Sequence, residues 1–275
     1  MRSRQIAGRH LGWSAADLAS KPYARFYNPV MAPLSTHAAE ALVRGPVADE
    51  MLPTLQAAPT VMFGNKFQLE DAYTRTTDGG MCVHTRTDMP NVTPAMIDWW
   101  FGWHGDEAAK YKLWHPQAHV HVQWLKPVPA DTKGRARYVG HTSIVDEYIG
   151  EGMIRGSIRF VEPRTLGFTD KSLDDPAEAT IVCARTGLAD LPVDAGYLAH
   201  HVRRTSTGSE MRSRFWFGGP HVAGRGGALS KAQAMLAKSL NRFTDRDARN
   251  LLSHCAQEMQ HLATFLPALH SEFGS

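Results

Sequence analysis

The segment from residue 251 to 261 carries metal-ligand residue types at helical spacing. It reads Leu-Leu-Ser-His-Cys-Ala-Gln-Glu-Met-Gln-His. On a helix, His254 and Glu258 are four residues apart and share one face, with His261 three residues further on. An imidazole nitrogen and a carboxylate oxygen are two ligands that zinc and similar divalent ions accept. Taken alone, the pattern fits a solvated helix face with a hydrogen bond between the two side chains better than a metal site.

Other polar residues elsewhere in the chain could likewise be either metal ligands or structural residues. Glu147 lies among apolar neighbours in a stretch that has the composition of a strand. A buried carboxylate needs a cation or a hydrogen-bond donor, because leaving it unpaired is costly. His115 precedes a proline, and His119 and His121 share one face of the strand that follows. Taken alone, each of these histidines fits a hydrogen-bonded structural role, and the sequence does not show whether they converge with Glu147.

Several common catalytic motifs are absent from the sequence. It contains no GxSxG nucleophile elbow, no GxxxxGK[ST] phosphate loop, no GxGxxG after a strand and no HExxH zinc motif. Two glycine-rich stretches, 218–220 and 224–227, precede the last helical region. They fit a flexible connection better than a phosphate-binding loop.

Composition and charge narrow the class of protein. The chain has 275 residues, of which 43% are apolar and 21% charged, as in a soluble globular protein of one large or two small domains. Its 30 basic and 27 acidic residues leave a net charge of +3, without blocks of one sign. We therefore expect no nucleic-acid partner. No stretch of 18 apolar residues is present, so we expect no membrane span either.

The cellular compartment is predicted from the cysteines and the first residues. Three scattered cysteines form no CxxC pair, so neither a disulfide framework nor a thiolate zinc finger is expected. The basic first residues are not followed by an apolar run, as they would be in a signal peptide. These features predict a cytoplasmic protein.

The pattern of elements predicts an α+β fold. Frequent prolines make residues 1–60 an irregular N-terminal arm or small subdomain, and residues 61–275 form the main domain. A helix is expected at 36–43, and another opening at Thr93 as N-cap with Pro94 next, with a further helical piece over 106–114. Strands are predicted at 61–63, 81–85, 119–125, 137–148, 153–161, 180–186, 197–204 and 210–217. A long helical pattern over 230–269 follows, so we expect a curved antiparallel sheet with this helix against its concave face and a cavity between them.

Five pieces of the sequence together resemble one known family. They are Trp-Trp-Phe-Gly-Trp-His-Gly at 99–105, Tyr-Lys-Leu-Trp-His-Pro at 111–116, Glu147, Met-Arg-Ser-Arg-Phe-Trp at 211–216, and His254-x3-Glu258. Over about residues 60–270 the chain is similar to the phloretin hydrolase and 2,4-diacetylphloroglucinol hydrolase family. These enzymes cleave the carbon–carbon bond between an acyl group and a polyhydroxylated aromatic ring. The resemblance implies a START-like helix-grip fold with a small N-terminal region, and a homodimer.

The resemblance also implies a metal site. The family holds zinc with two histidines and two glutamates, which correspond here to His115, Glu147, His254 and Glu258. We expect His119, His121 and His261 to lie outside the ligand set, as partners of the ligands or as core residues. Two carboxylates cancel the +2 charge and suit zinc, although manganese or iron(II) also accepts oxygen-rich sites. The alternative is that the four residues form a structural ion-pair cluster.

The resemblance further implies a substrate class, for which we select candidate site residues. The expected activity is hydrolysis of a 2,4-diacetylphloroglucinol- or phloretin-like substrate, an acylated polyphenol, with release of a carboxylic acid. Arg214, Trp216 and Tyr111 are the candidates for binding it, and Tyr111 and His201 are the candidate catalytic residues. His201 is the expected proton shuttle, since the neutral-range pKa of histidine suits proton delivery. Two other functions stay open: a non-enzymatic START-like carrier of an apolar or phenolic ligand, and a polyketide cyclase.

Overall fold

The computed structural model describes residues 9–64, 69–240 and 243–274, with the backbone alone at residue 240. Within these residues the helices are α1 (Ala15–Ser20), α2 (Thr36–Arg44), α3 (Ala58–Val61), α4 (Pro94–Trp103), α5 (Ala108–Trp114), α6 (Ala228–Leu240) and α7 (Asp245–Phe273). The strands are β1 (Ala72–Arg75), β2 (Gly80–Pro90), β3 (His119–Trp124), β4 (Thr142–Ile149), β5 (Gly152–Val161), β6 (Ala179–Leu188), β7 (Val193–Thr205), β8 (Gly208–Gly218) and β9 (Ala223–Gly224).

The strands form one antiparallel sheet. Its order is β1-β2-β8-β7-β6-β5-β4-β3, and the short β9 pairs with β7. Strands β3 to β8 follow one another in space as they do in the chain, whereas β2 crosses over to pair with β8 along its whole length. Helix α7 packs against β1 and β2 towards one edge of the sheet and against β4 towards the other. A curved antiparallel sheet around a long C-terminal helix is the predicted helix-grip fold.

Helix α7 has clear sequence signals. Thr244 caps its first turn by accepting a hydrogen bond from the Asp247 backbone, and the Asp247 side chain bonds back to the Thr244 backbone. Its apolar residues Leu251, Leu252 and Met259 are buried against the sheet. The single helical pattern predicted over 230–269 was wrong, because Thr244 has extended backbone dihedrals and separates α6 from α7. Residues 241 and 242 lie outside the described part of the chain.

Most other predicted elements are present, with two differences. Helices α2 and α4 lie where they were expected, and the side chain of Thr93 accepts a hydrogen bond from the Met96 backbone at the start of α4. The strand predicted at 61–63 was wrong, because Val61 ends the short helix α3. The strand predicted from 137 begins later, at Thr142, because Arg137 closes a preceding 3₁₀ turn.

The main apolar core lies between α7, α4 and the concave face of the sheet. Trp100, Leu252 and Met259 are among its fully buried members. Tyr23 and Ala41, from the N-terminal region, belong to the same cluster. The division of the chain at residue 60 stays a prediction. Among the described helices, none combines the length and the apolar character that crossing a membrane requires.

Candidate metal centre and its cavity

Four side chains from three elements converge on one point between the sheet and α7. His119 is the first residue of β3, Glu147 lies on β4, and His254 and Glu258 lie on α7. The Nε2 atom of His119 is 3.6 Å from Glu147 Oε2 and 3.5 Å from Glu258 Oε2. The Nε2 atom of His254 is 3.8 Å and 3.7 Å from the same two oxygens. We call these four residues the His–Glu group.

The sheet places the two strand members side by side. His119 and Glu147 are opposite each other in the β3–β4 ladder, so their side chains are neighbours on the same face. Alternation along β4 turns Ser143, Val145 and Glu147 towards the interior. Asp146 points to the other face, where Arg9 pairs with it. The carboxylate beside Glu147 in the sequence is therefore kept away from the group.

The two histidines of the group are held by backbone carbonyls. His119 Nδ1 lies 2.9 Å from the carbonyl oxygen of Tyr111, which fixes Nδ1 as the donor and leaves Nε2 unprotonated. The ring of His254 bonds to the backbone of Tyr148. His119 Nε2 is buried and has no hydrogen-bond partner in the described structure. An orphaned, unprotonated imidazole nitrogen facing two carboxylates is the arrangement expected around a cation.

Burial sets the protonation of the group. It raises the pKa of Glu147, and the hydrogen bond from Tyr111 partly opposes this rise. Burial and the nearby charge of Glu147 together raise the pKa of Glu258 well above its usual range. Burial lowers the pKa of His254 to about 4 and that of His119 well below the usual value, so both imidazoles are neutral at neutral pH. Two buried carboxylates without a nearby cation repel each other, whereas one divalent ion would balance both.

The spacing of the His–Glu group fits a metal ion. Ligands at zinc bond lengths near 2.1 Å in a tetrahedron lie about 3.4 Å from one another. The four nitrogen–oxygen distances of 3.5–3.8 Å are close to that value. The ligand atoms of His119, Glu147 and His254 all lie within 4.8 Å of one another. These three residues therefore form a group that could hold a metal ion, and Glu258 lies beside it, 3.5 Å and 3.7 Å from the two imidazole nitrogens.

Tyr111 is part of the same site. Its hydroxyl donates a hydrogen bond of 2.5 Å to Glu147 Oε2, and its ring lies parallel to the ring of His119. Burial and the charge of Glu147 raise its pKa well above the usual value, so the phenol keeps its proton. Tyr111 is one of the site residues expected from the sequence, and in the structure it contacts His119 and Glu147 of the His–Glu group.

The site opens into a cavity of about 350 Å³ between the sheet and α7. Tyr111, Glu147, His254 and Glu258 line part of its wall. The remaining wall is mostly apolar and includes Phe101, Trp114, Leu198, Phe215 and Phe217. A cavity of this size with a few polar groups at defined positions is typical of a small-molecule site.

The structure places His119, and not His115, in the His–Glu group. His115 ends α5, and its carbonyl oxygen accepts hydrogen bonds from the backbones of Ala118 and His119. Its ring lies nearly parallel to the ring of His254, with the centroids 5.0 Å apart, and its centroid is 5.6 Å from that of His119. In place of the expected His115, the structure brings His119 beside Glu147, since His115 follows α5 and lacks the cross-strand pairing that holds His119 there. That pairing is the signal that could have identified His119.

Three other expected site residues face away from the cavity. His201 packs against Phe63 with ring centroids 4.3 Å apart. Arg214 forms an ion pair with Glu70 at 2.9 Å, and Trp216 donates a hydrogen bond to the carbonyl of Pro53. All three lie on the convex face of β7 and β8. Strand alternation instead directs the neighbouring residues His200 and Phe215 into the cavity, so the three expected residues are not part of its lining.

Two histidines that the sequence analysis did not single out line the cavity. The Nδ1 atom of His104 lies 2.8 Å from the carbonyl oxygen of Trp100, so its Nε2 is free to accept a hydrogen bond. His200 Nδ1 lies 2.7 Å from the Ser213 hydroxyl. Burial lowers the pKa of His104 to about 4 and that of His200 to about 3. Both rings are neutral and suited to contact a phenolic hydroxyl.

The fold and the site define a helix-grip protein with a candidate metal centre in its ligand cavity. A family model described as "DAPG hydrolase PhiG domain" matches residues 52–271. The chain therefore belongs to the 2,4-diacetylphloroglucinol (DAPG) hydrolase family.

Curated relatives and solved structures extend this comparison. The 2,4-diacetylphloroglucinol hydrolase of Pseudomonas protegens is 29% identical over 271 residues, which cover 94% of this chain and 87% of the relative. The phloretin hydrolase of Eubacterium ramulus is 26% identical over 260 residues, covering 91% and 89%. Among solved structures, a Thalictrum norcoclaurine synthase matches 76% of this chain and 100% of its own, with 14% identity and a TM-score of 0.38.

Proposed function

We propose that this chain is a zinc-dependent hydrolase that cleaves the bond between an acyl carbon and the ring carbon of a polyhydroxylated aromatic compound. The proposed substrates are of the 2,4-diacetylphloroglucinol or phloretin type, in keeping with the names of the relatives. The observation that carries the proposal is the opening of the His–Glu group into an apolar cavity of about 350 Å³. This arrangement puts a metal-competent site beside a space suited to a flat ring.

The proposed ligands of zinc are His119, Glu147, His254 and Glu258. Their two neutral imidazoles and two carboxylates would leave a neutral centre, which suits a buried zinc site. When bound, zinc would polarise the acyl carbonyl and lower the pKa of a water molecule. The residues around the site supply the other requirements of the reaction.

The reaction adds one water molecule across the carbon–carbon bond. The bond between the acyl carbon and the ring carbon breaks, the hydroxyl of water joins the acyl carbon, and a proton is added to the ring carbon. The products are a carboxylic acid and the deacylated phenol. The protein must therefore hold the ring, provide a proton and stabilise the electron pair that the ring receives.

Tyr111 is our candidate for handling that proton, now that His201 lies outside the cavity. Its hydroxyl is the proton donor in a short hydrogen bond to Glu147, and it lies in the cavity wall. Its raised pKa keeps the proton on the oxygen until the ring becomes basic enough to take it. The same hydrogen bond orients the Glu147 carboxylate.

Recognition of the ring hydroxyls is assigned to the neutral histidines of the cavity. His104 and His200 line the wall among aromatic side chains. A neutral imidazole nitrogen accepts a hydrogen bond from a phenol without introducing a charge into the apolar space. Together with Tyr111 they give the cavity polar contacts suited to a polyhydroxylated ring.

The carrier and cyclase alternatives predict a different site. A carrier of apolar ligands has no need for two buried carboxylates, each of which costs free energy to desolvate. A polyketide cyclase would use the cavity without metal. Turnover that survives complete chelation would favour the cyclase.

A screen of the purified protein tests the proposal. Acylated phloroglucinols and dihydrochalcones are incubated with the protein before and after chelation, and release of a carboxylic acid is followed. Metal-dependent release of the acid and the phenol in equal amounts is expected. Binding of these compounds without release of acid, at full metal content, would instead support a carrier.

The assembly and location are also proposals. We propose a homodimer, on the resemblance to the family. A cytoplasmic location is supported by Cys82, Cys183 and Cys255, which are buried and form no disulfide with one another.

A further inference from the structure

A second depression reaches the His–Glu group from the side opposite the apolar cavity. It has a volume of about 230 Å³, and its lining includes His115, Arg249, Asn250, Ser253, His254 and Gln257. We call it the polar pit. His254 contributes to both spaces, because its Nε2 faces the glutamates while its ring lies against His115. The polar pit is thus separated from the candidate metal centre by one side chain.

The lining of the polar pit is suited to an anion. Arg249 contributes a positive charge, and the described lining residues include no aspartate or glutamate. In the part of the chain that the structure describes, no carboxylate lies within ion-pair distance of Arg249. Neutral polar side chains of Asn250, Ser253 and Gln257 complete the surface, and that of Gln257 forms a hydrogen bond with His115. Charge-assisted hydrogen bonds from such a set favour a carboxylate over a neutral molecule.

One buried residue in the lining of the polar pit has a nitrogen without a hydrogen-bond partner. His115 is 4% exposed, and its Nδ1 atom is buried without a hydrogen-bond partner. An unsatisfied buried nitrogen costs free energy, so a ligand that reached it would recover part of that cost. The turn at Gly150 closes one side, where Asn250 lies so near that a Cβ atom on Gly150 would meet its side chain.

The lining of the polar pit runs along α7 beside the ligands. Arg249, Ser253 and Gln257 are spaced four residues apart and form one stripe, and His254 and Glu258 lie on the adjacent stripe. A single helix therefore faces the proposed metal centre with one stripe and the polar pit with the next. Movement of a small molecule past His254 would carry it from one to the other.

We propose that the polar pit binds a small carboxylate anion. The identity of that anion rests on the proposed function: it would be the acid released by cleavage of the acyl group. The two products of that reaction differ in polarity. The phenol suits the apolar cavity, whose described lining includes no lysine or arginine, whereas a carboxylate is poorly solvated there. The polar pit offers the carboxylate an arginine and neutral donors on the other side of His254.

Acetate binding to the metal-loaded protein tests the proposal. ¹³C-labelled acetate is titrated and followed by NMR, with metal content measured for each variant. Arg249→Gln should weaken acetate binding about tenfold, the effect of losing one charge-assisted hydrogen bond. Arg246→Gln is the matched control, because this exposed arginine lies on the same helix, pairs with Glu151 and is outside the polar pit. It should leave acetate affinity unchanged.

A second variant adds a negative charge to the polar pit while the size of the side chain stays almost the same. Asn250→Asp places a carboxylate in the polar pit and should abolish acetate binding while the metal content stays the same. Absence of saturable acetate binding, or equal affinity in all three variants and the wild type, would overturn the proposal. Hydrolysis of acylated phenols is measured in a separate assay, which tests the proposed function and not the anion site. Arg249-dependent acetate binding without hydrolysis of any acylated phenol would reject the proposed function and retain the anion site.

Discussion

The phenol ring of Tyr111 lies flat on the imidazole of His119, with ring centroids 3.7 Å apart and planes 4° from parallel. The backbone carbonyl oxygen of Tyr111 also lies 2.9 Å from His119 Nδ1, and the hydroxyl of Tyr111 donates a hydrogen bond to Glu147. One residue in the middle of α5 thus contacts both strand members of the His–Glu group. Its ring, its backbone and its hydroxyl each make a separate contact.

Removal of the Tyr111 hydroxyl should impair catalysis more than stability. Tyr111→Phe keeps the ring on His119 but releases Glu147 and removes the candidate proton donor, so we expect kcat/KM to fall about 10²- to 10⁴-fold. Steady-state kinetics on an acylated phloroglucinol, at measured metal content, provide the test. A fall in KM and kcat alike, or no change, would remove Tyr111 from the mechanism.

A matched control uses another buried tyrosine. Tyr138 donates a hydrogen bond of 2.5 Å to Asp98 and does not line the cavity. Tyr138→Phe should lower the free energy of unfolding by about 1–2 kcal/mol and leave kcat/KM unchanged. Loss of activity in both variants would mean that the Tyr111 effect reports a general disturbance of the core.

The metal content of two histidine variants separates the ligand assignments. His119→Ala removes a member of the His–Glu group, so the purified variant should contain much less metal than the wild type. His115→Ala should retain its metal, because His115 is outside the group of candidate ligand atoms that His119, Glu147 and His254 form. Elemental analysis gives the result directly. The opposite outcome would restore His115 as the ligand.

Adjacent histidines on β7 should differ in their effect on substrate. His200→Leu removes a polar group from the cavity wall and should raise KM for a trihydroxylated ring about tenfold, with a smaller effect for an analogue that lacks a hydroxyl. His201→Leu changes the opposite face, against Phe63, and should leave KM unchanged. Equal changes in KM for both variants would contradict the placement of the two side chains.

The pair of His37 and Asp71 should make stability depend on pH. His37 Nδ1 lies 2.7 Å from Asp71 Oδ2, and this hydrogen bond raises the pKa of His37 above its ordinary value of 6.5, against the opposing effect of burial. Because the folded-state pKa is raised, the stabilisation is complete below pH 6.5 and is lost as the pH rises through the folded-state pKa. The difference in unfolding free energy between wild type and His37→Gln should therefore shrink with increasing pH. Denaturant unfolding at several pH values measures it, and the same difference in an Asp71→Asn background should stay constant.

The fold could be predicted from the sequence because its signals are local. Alternation marked most strands, and Thr93 and Pro94 marked the start of α4. The same signals failed where they were short or overlapped. Thr244 is a good N-cap, yet the apolar periodicity on both sides of it made α6 and α7 look like one helix.

The site was harder to predict from the sequence, because it depends on which face of a strand or helix each side chain occupies. His254 and Glu258 share a helix face by their spacing alone, and that much was readable. The choice between His115 and His119 depends on the pairing of β3 with β4, which the sequence does not encode locally. Likewise, His200 and His201 are adjacent, and a shift of one residue in a strand reverses which of them meets the cavity.

The order of the His–Glu group along the chain has a consequence for biosynthesis. Its strand residues, His119 and Glu147, precede His254 and Glu258 by more than a hundred positions. During translation the strand residues of the group are therefore synthesised first, and their side chains remain solvated until the residues on α7 have been synthesised. A chain interrupted before residue 245 would contain every strand of the sheet but only one imidazole and one carboxylate of the four. Tight metal uptake would then mark a chain whose synthesis has passed α7.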